Sequence, residues 1–328
     1  MSDVVISFNK ATKRFTGTGQ NAVDEVTLDI REGSFVTILG TSGSGKTTLL
    51  KLVNRIHELT SGEILFNGQN IHELKVEDYR KKIGYVIQQI GLFPHMTVAE
   101  NIAVVPKSLK WNKNMIEERV EYLLELVHLT PSYYRNRYPA QLSGGQQQRV
   151  GLARAMAAEP GVMLMDEPFG AIDSITRKIL QDELLTIHKK LGKTILFVTH
   201  DIHEALKLGE KVIVMNEGRV QQYDTPYNIL FRPVNTFVSR LVAAENTLEK
   251  LQVLRAEVVA SPARHSDTPN VPLVHEAETL SSVLAKFMET GAPYFRVTDD
   301  GGQVRGEISW DDLRSIASLR NDGIEYYV

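Results

Sequence analysis

Over roughly the first 235 residues, short apolar runs alternate with longer stretches whose apolar positions recur every three or four residues. The runs Val4–Phe8, Ser34–Leu39, Glu63–Phe66, Ile83–Ile87, Val162–Asp166, Thr194–Thr199 and Lys211–Met215 read as strands. Between the fourth and fifth of these, Ile116, Val120, Leu123, Leu124 and Val127 keep the helical spacing of three and four. Strands alternating with helical stretches predict an α/β fold, a mixed sheet with helices on its faces. The stretch Ile90–Gly161 is a helix-rich insertion in that alternation.

The pattern changes at Pro233. Phe237, Leu241, Val242, Leu248 and Leu251 predict a helix over Thr236–Leu251. Ala260–Pro272 carries prolines with Ser, Asp and Asn and reads as a linker. The remainder reads as a small α/β unit: a helix over Thr279–Thr290, strands at Tyr294–Val297 and Val304–Ser309, and a helix from Trp310. The expected organisation is a large domain over 1–235 with a helical subdomain at about 90–161, a helix and linker over 236–271, and a small domain over 272–328.

A length of 328 residues agrees with about two domains. Lys plus Arg number 37 against 40 Asp plus Glu, a net charge of −3, which argues against a surface built to hold nucleic acid. Residues 250–328 hold 8 basic and 12 acidic side chains, so the tail is mildly acidic. Cysteine is absent, which removes disulfides, thiolate catalysis and Cys-based metal sites. The start, with acidic Asp3 and no apolar stretch, is not expected to be a secretory signal. No window approaches the ~18 apolar residues of a membrane span.

The strongest chemical signal is Gly40-Thr41-Ser42-Gly43-Ser44-Gly45-Lys46-Thr47, which satisfies G-x-x-x-x-G-K-[ST]. An apolar strand precedes it and a helical run, Thr48–Val53, follows. Glycines let backbone N–H groups curl around an anion, and the helix adds its positive end. Lys46 is placed to reach β- and γ-phosphates and the Thr47 hydroxyl to hold Mg²⁺. Such a loop needs a carboxylate at the end of a neighbouring strand, and Asp166 supplies one, acting on the metal through water. Glu167, the next residue, can face the γ-phosphate and polarise an attacking water. His200 ends the strand Ile195–Thr199 at the same sheet edge, where ligands bind in open α/β folds. Leu142-Ser143-Gly144-Gly145-Gln146 precedes another helical run and forms a second anion-binding N-terminus.

With these motifs together, the chain resembles the ATP-binding cassette (ABC) ATPases from residue 4 to 235. The resemblance implies a P-loop NTPase cassette with a RecA-like core, an antiparallel β subdomain and a helical subdomain. ATP and Mg²⁺ would lie on Gly40–Thr47 and Thr48, with Phe15 stacking on adenine where the family usually has Tyr. Gln88, assigned by its spacing to Pro94-His95, would join Thr47 and Asp166 at the metal. Ser143, Gly144, Gly145 and Gln146 match the family's signature loop, Gly170–Asp173 its D-loop with Asp173, and His200 its switch histidine. In the family, the signature loop closes on ATP held by another subunit. One phosphate loop and one signature loop per chain therefore imply a second copy or a homologous chain.

Gly91–Asn101 and Thr199–Leu206 resemble the importer branch. That implies integral-membrane permease subunits, an indirect link to a substrate-binding protein, and a peripheral place on the cytoplasmic face of the bacterial inner membrane. The tail, with Gly306–Leu313, resembles one cystathionine-β-synthase-type (CBS) module, in which Ser309 and Asp312 would meet a nucleotide. The plain alternative is that Asp311 and Asp312 start the last helix, where acidic side chains favour the N-terminal dipole. A cassette with such a tail resembles the ATPase of osmoprotectant importers for glycine betaine, choline, carnitine or proline. An importer of amino acids or other small solutes, and a soluble non-transport ABC ATPase, are the alternatives.

Overall fold

The computed structural model describes residues 4–17, 19–87, 91–170, 172–243, 251, 253–262 and 271–313. It divides into two compact units, the boundary falling between Tyr223 and Asp224.

The first unit is built on a six-stranded sheet of order β10-β9-β3-β8-β7-β6. Its strands are β3 (Phe35–Gly40), β6 (Ile83–Val86), β7 (Val162–Asp166), β8 (Thr194–Thr199), β9 (Lys211–Asn216) and β10 (Arg219–Asp224). From β9 to β6 every pairing is parallel. A parallel sheet is buried on both faces, and the strand sequences are accordingly almost wholly apolar. Phe35, Met163, Met165, Ile195 and Phe197 face a helical layer. This layer comprises α3 (Val98–Ser108), α4 (Lys113–Leu126), α6 (Gly144–Met156) and α7 (Ser174–Leu191), with short α5 (Pro131–Tyr134) between α4 and α6. Their alternating neighbours Val36, Ile38, Leu164, Leu196 and Val198 face α1 (Lys46–Val53) and a second sheet. Helix α8 (Ile202–Leu208) packs on β3, where Thr37 Oγ1 donates to the Ala205 carbonyl at 3.0 Å.

The second sheet is antiparallel, of order β2-β1-β4-β5. It comprises β1 (Val4–Arg14), β2 (Asn21–Arg31), β4 (Ser61–Phe66) and β5 (Gln69–Asn70), followed by α2 (Val76–Arg80). The expected first strand, Val4–Phe8, continues to Arg14, and β2, β5 and β10 are strands that apolar runs did not reveal. In β1 and β2 the reason is local. Lys10 and Glu25 have φ of 47° and 48°, and the register shifts around Ala11. Such bulges break the period-two alternation that marks a strand. In β10, Arg219-Val220-Gln221-Gln222-Tyr223-Asp224 is a polar sheet edge.

The second unit begins with α9 (Pro226–Phe231) and α10 (Thr236–Ala243). Its sheet, β11 (Leu273–His275), β12 (Tyr294–Thr298) and β13 (Val304–Ser309), has β11 parallel and β13 antiparallel to β12. The helix Leu280–Thr290 crosses between β11 and β12 and supplies Leu280, Val283 and Phe287 to a core with Phe295, Val297 and Ile308. Leu251, Leu254 and Ala256 join that core, and Tyr227 and Phe231 pack against it. The compact division therefore precedes α9 instead of following residue 235. The segment expected to be only a helix and linker supplies core residues. Ser261, at the start of that linker, pairs with Glu307 of β13. The remainder of the helix expected over Thr236–Leu251 lies largely outside the described residues, as does most of Ala260–Pro272.

Candidate nucleotide-binding site

The phosphate loop leaves the carboxyl end of β3, which lies between β8 and β9. Two glycines are required by shape. A Cβ on Gly40 would stand 2.3 Å from the Met215 carbonyl oxygen. One on Gly45 would stand 2.3 Å from that of Ala22, at a φ of +101°. Gly45 is also the N-cap of α1 and offers no side-chain acceptor, so the first N–H groups of that helix stay open to an anion.

Lys46 is 5% exposed, and its ammonium donates to the carbonyls of Gly40 at 2.8 Å and Thr41 at 2.9 Å. Burial holds its pKa below the usual lysine value, against the opposing pull of Glu167 and Asp166. A buried cation inside a loop of N–H donors is electrostatically matched to phosphate. Among the described residues the buried Ser44 hydroxyl in the same loop has no hydrogen-bond partner, a further polar group free to meet a ligand.

Asp166 ends β7, and its carboxylate accepts from the Thr47 hydroxyl at 2.8 Å. Burial raises its pKa, with the Thr47 hydrogen bond opposing. Glu167 follows with φ of 44°, a left-handed conformation uncommon outside glycine. Its N–H donates to the Val198 carbonyl at 3.0 Å, which ties the turn to β8. The Glu167 carboxylate then lies 3.1 Å from Nδ1 of His200. The histidine is 64% exposed and the glutamate 20%.

Glu167, His200, Lys46, Thr47, Thr48, Ser42, Gly43 and Gly45 line one open cleft of about 400 Å³. Ala22 of β2 also lines it, a residue that motif reading does not reach because it carries no functional group. Phe15 does not line this cleft. Its ring packs edge-on against His57, centroids 5.2 Å apart, with the Lys13 ammonium 5.1 Å from its centroid. Gln88 lies outside the described residues.

The residues expected to form the signature loop are a separate feature of the surface. Ser143 and Gln146 form a reciprocal capping box at the start of α6. The Gln146 amide also donates to the Tyr134 hydroxyl at 3.2 Å. Gly144 and Gly145 occupy the first turn, and a Cβ on Gly145 would lie 2.7 Å from the Thr176 methyl group. None of these four residues lines the phosphate cleft of its own chain. Asp173 caps α7, accepting from the Thr176 N–H at 3.0 Å, and that hydrogen bond lowers its pKa. In the small unit, Ser309 Oγ donates to Asp312 at 2.5 Å, while the Asp312 N–H donates back to Ser309 at 3.3 Å. This pair caps the helical turn that opens at residues 310–313.

Residues 23–170 match the family described as ABC transporter. The chain is 46% identical to the glycine betaine uptake system ATP-binding protein YehX of Escherichia coli (strain K12) over 309 residues, 94% of this chain and 99% of that protein. The chain belongs to the ABC transporter ATP-binding proteins. A second member of that family, the glycine betaine/carnitine/choline transport ATP-binding protein OpuCA of Bacillus subtilis (strain 168), is 42% identical over 321 residues, 97% of this chain and 82% of that one. Among solved structures, the chain is similar to a dimeric ATP-binding cassette in a post-hydrolysis state bound to ADP and Pi. The TM-score is 0.60 at 34% identity, over 67% of this chain and 98% of the other. In this ABC ATP-binding protein Lys46, Thr47, Glu167 and His200 line one cleft, Asp166 bonds to Thr47, and the start of α6 does not line it. No described helix is long and apolar enough to cross a membrane.

Proposed function

We propose that this protein hydrolyses ATP to drive import of a compatible solute of the glycine betaine, carnitine, choline or proline type through integral-membrane permease subunits. The carrying observation is the cleft that joins buried Lys46 to the Glu167–His200 pair. In this reading Lys46, Ser44, the loop N–H groups and Thr48 hold the β- and γ-phosphates of ATP, and Phe15 packs on adenine. Glu167 accepts a proton from the attacking water. His200 holds the γ-phosphate and orients Glu167.

The Thr47 hydroxyl and Asp166 carboxylate, already 2.8 Å apart, fit Mg²⁺ completed by phosphate oxygens and water. Among the described residues no cluster of three acidic or histidine side chains offers a metal site without phosphate. Gln88 is assigned to the same metal. Mg²⁺ would supply charge neutralisation between the β- and γ-phosphates.

Ser143, Gly144, Gly145 and Gln146 then meet the ATP of a second copy, and Asp173 fixes the D-loop between them. The osmoprotectant reading is favoured because similarity to transport proteins for these solutes extends over 94% and 97% of the chain, well beyond the cassette. The small unit is read as a CBS-like regulatory domain. The chain sits at the cytoplasmic face of the inner membrane, linked to a substrate-binding protein through the permease.

Uptake of radiolabelled glycine betaine, carnitine, choline and proline in a strain lacking this protein tests the substrate. Loss of uptake of at least one at high osmolarity, restored by wild type and not by Lys46→Ala, is expected. Unchanged uptake of all four would overturn the substrate assignment. Purified wild type without ATPase activity, alone or with its permease, would overturn the enzymatic one.

A further inference from the structure

Behind the Glu167–His200 pair lies a buried carboxylate with no part in the chemistry above. Glu204, in the first turn of α8, is 6% exposed. Its Oε2 accepts from the Thr199 hydroxyl at 2.5 Å and its Oε1 from the Gln181 amide at 3.0 Å. The Thr199 oxygen in turn accepts from the Asp201 N–H at 3.0 Å. Both chain neighbours of His200 are thereby held in one network.

A second link runs one turn nearer the start of α7. Arg177 donates to the Ile172 carbonyl at 3.0 Å, and its other terminal nitrogen lies 3.7 Å from the Asp201 carboxylate. Asp201 also accepts the Glu204 N–H at 3.1 Å. Arg177 and Gln181 are four residues apart and share a face of α7. That helix starts at its cap Asp173. Arg177 of α7 therefore reaches Asp201 in the turn that carries His200 and also grips the backbone beside Asp173, while Gln181 reaches that turn through Glu204.

A buried carboxylate is costly unless fully hydrogen-bonded, and burial pushes the Glu204 carboxyl above the usual range. An apolar side chain would fill this place without that penalty. What the carboxylate adds is directional: two fixed acceptors, one for each packed element. Lys207 completes the network by donating to the Gln181 amide oxygen at 3.2 Å.

We infer that Glu204 is a positioning residue for hydrolysis: through Thr199 and Gln181 it locks the His200 turn to α7, so that movement of the Ile172–Asp173 segment is carried to the Glu167–His200 pair. This rests on the hydrolytic reading of that pair. It implies that what a second copy does to the D-loop is felt at His200 through side chains that touch no nucleotide.

The test uses the full-length chain and reads single-turnover ATP hydrolysis, equilibrium ATP binding and thermal melting together. Thr199→Val keeps the branched shape and removes the hydroxyl, whereas Thr199→Ser keeps it. We expect Thr199→Val to slow hydrolysis about tenfold with ATP affinity within about twofold of wild type, and Thr199→Ser to restore the rate. Gln181→Leu is expected to slow hydrolysis similarly, and the double variant to lose little beyond either single one, because both act through one carboxylate. Hydrolysis by Thr199→Val and Gln181→Leu at the wild-type rate per folded molecule, even with lowered melting temperatures, overturns the inference and leaves the hydrolytic reading standing. If Thr199→Val does not fold, Gln181→Leu decides alone. A wild type that binds ATP and never hydrolyses it overturns both.

Discussion

Gly45→Ala is the substitution whose cost the geometry defines most sharply. Two terms act. At φ of +101° an alanine is strained wherever it sits, by at least the ~1–2 kcal/mol of a left-handed residue. The new Cβ would also stand 2.3 Å from the Ala22 carbonyl oxygen. That neighbour is backbone in β2, and Val23 beside it is fully buried, so it cannot swing aside. Together these predict a loss of roughly 2–4 kcal/mol, or a fall in melting temperature of about 5–15 °C for a unit of this size. ATP affinity should drop at least about tenfold, because relieving the contact moves the N–H groups that open α1. Gly144→Ala is the internal control. No atom of the described residues lies within 4 Å of a Cβ there, and alanine is the better helix former, so melting should stay level or rise slightly. The assays are thermal melting with and without ATP and a fluorescent-nucleotide titration. A Gly45→Ala protein that melts and binds ATP like wild type would show that position 45 tolerates a Cβ after all.

Glu167→Gln keeps the side-chain shape and removes the proton acceptor. Hydrolysis should fall by about 10²–10⁴ while ATP binding persists, and ATP-dependent dimers should accumulate in size-exclusion chromatography; rapid turnover would remove the assigned role. Burial raises the pKa of Asp166 above 3.8, so its contribution to stability is fully present below that pH and is lost as pH rises through the folded value. Asp166→Asn should therefore gain melting temperature relative to nucleotide-free wild type as pH is raised from about 4 to 7, and a difference that shrinks over this range contradicts the assignment. Ser309→Ala opens the capping box at the start of the helical turn 310–313 and should cost the small unit about 0.5–2 kcal/mol with cassette hydrolysis unchanged, read as a lower-melting transition of that unit. An unaltered transition would show that Ser309 does not serve as the cap.

Local chemistry explains how much of this protein was legible in its residues. A phosphate loop is a contiguous device: its glycines, lysine and threonine act within one turn and its flanking elements, so Gly40–Thr47 announced both a strand–loop–helix and a ligand. The strands Val162–Asp166 and Thr194–Thr199 stood out because a parallel strand buried on both faces must be apolar throughout. The order of pairing was not so marked. That β7 and β8 are adjacent, and so bring Glu167 within 3.1 Å of His200, is decided by tertiary packing across 33 residues of chain. Bulged β1 and β2 and polar β10 were obscured because their stability comes from partners in the sheet, not from a periodic apolar face. The same holds for Ala22, which carries no functional group yet lines the cleft, and for Glu204, which looks like any exposed helical glutamate until Gln181 of α7 reaches it. The residues alone determined which groups can bind phosphate and move a proton. The fold decided which of them meet, because proximity between distant segments is set by how strands and helices bury their apolar faces and by nothing written at either position.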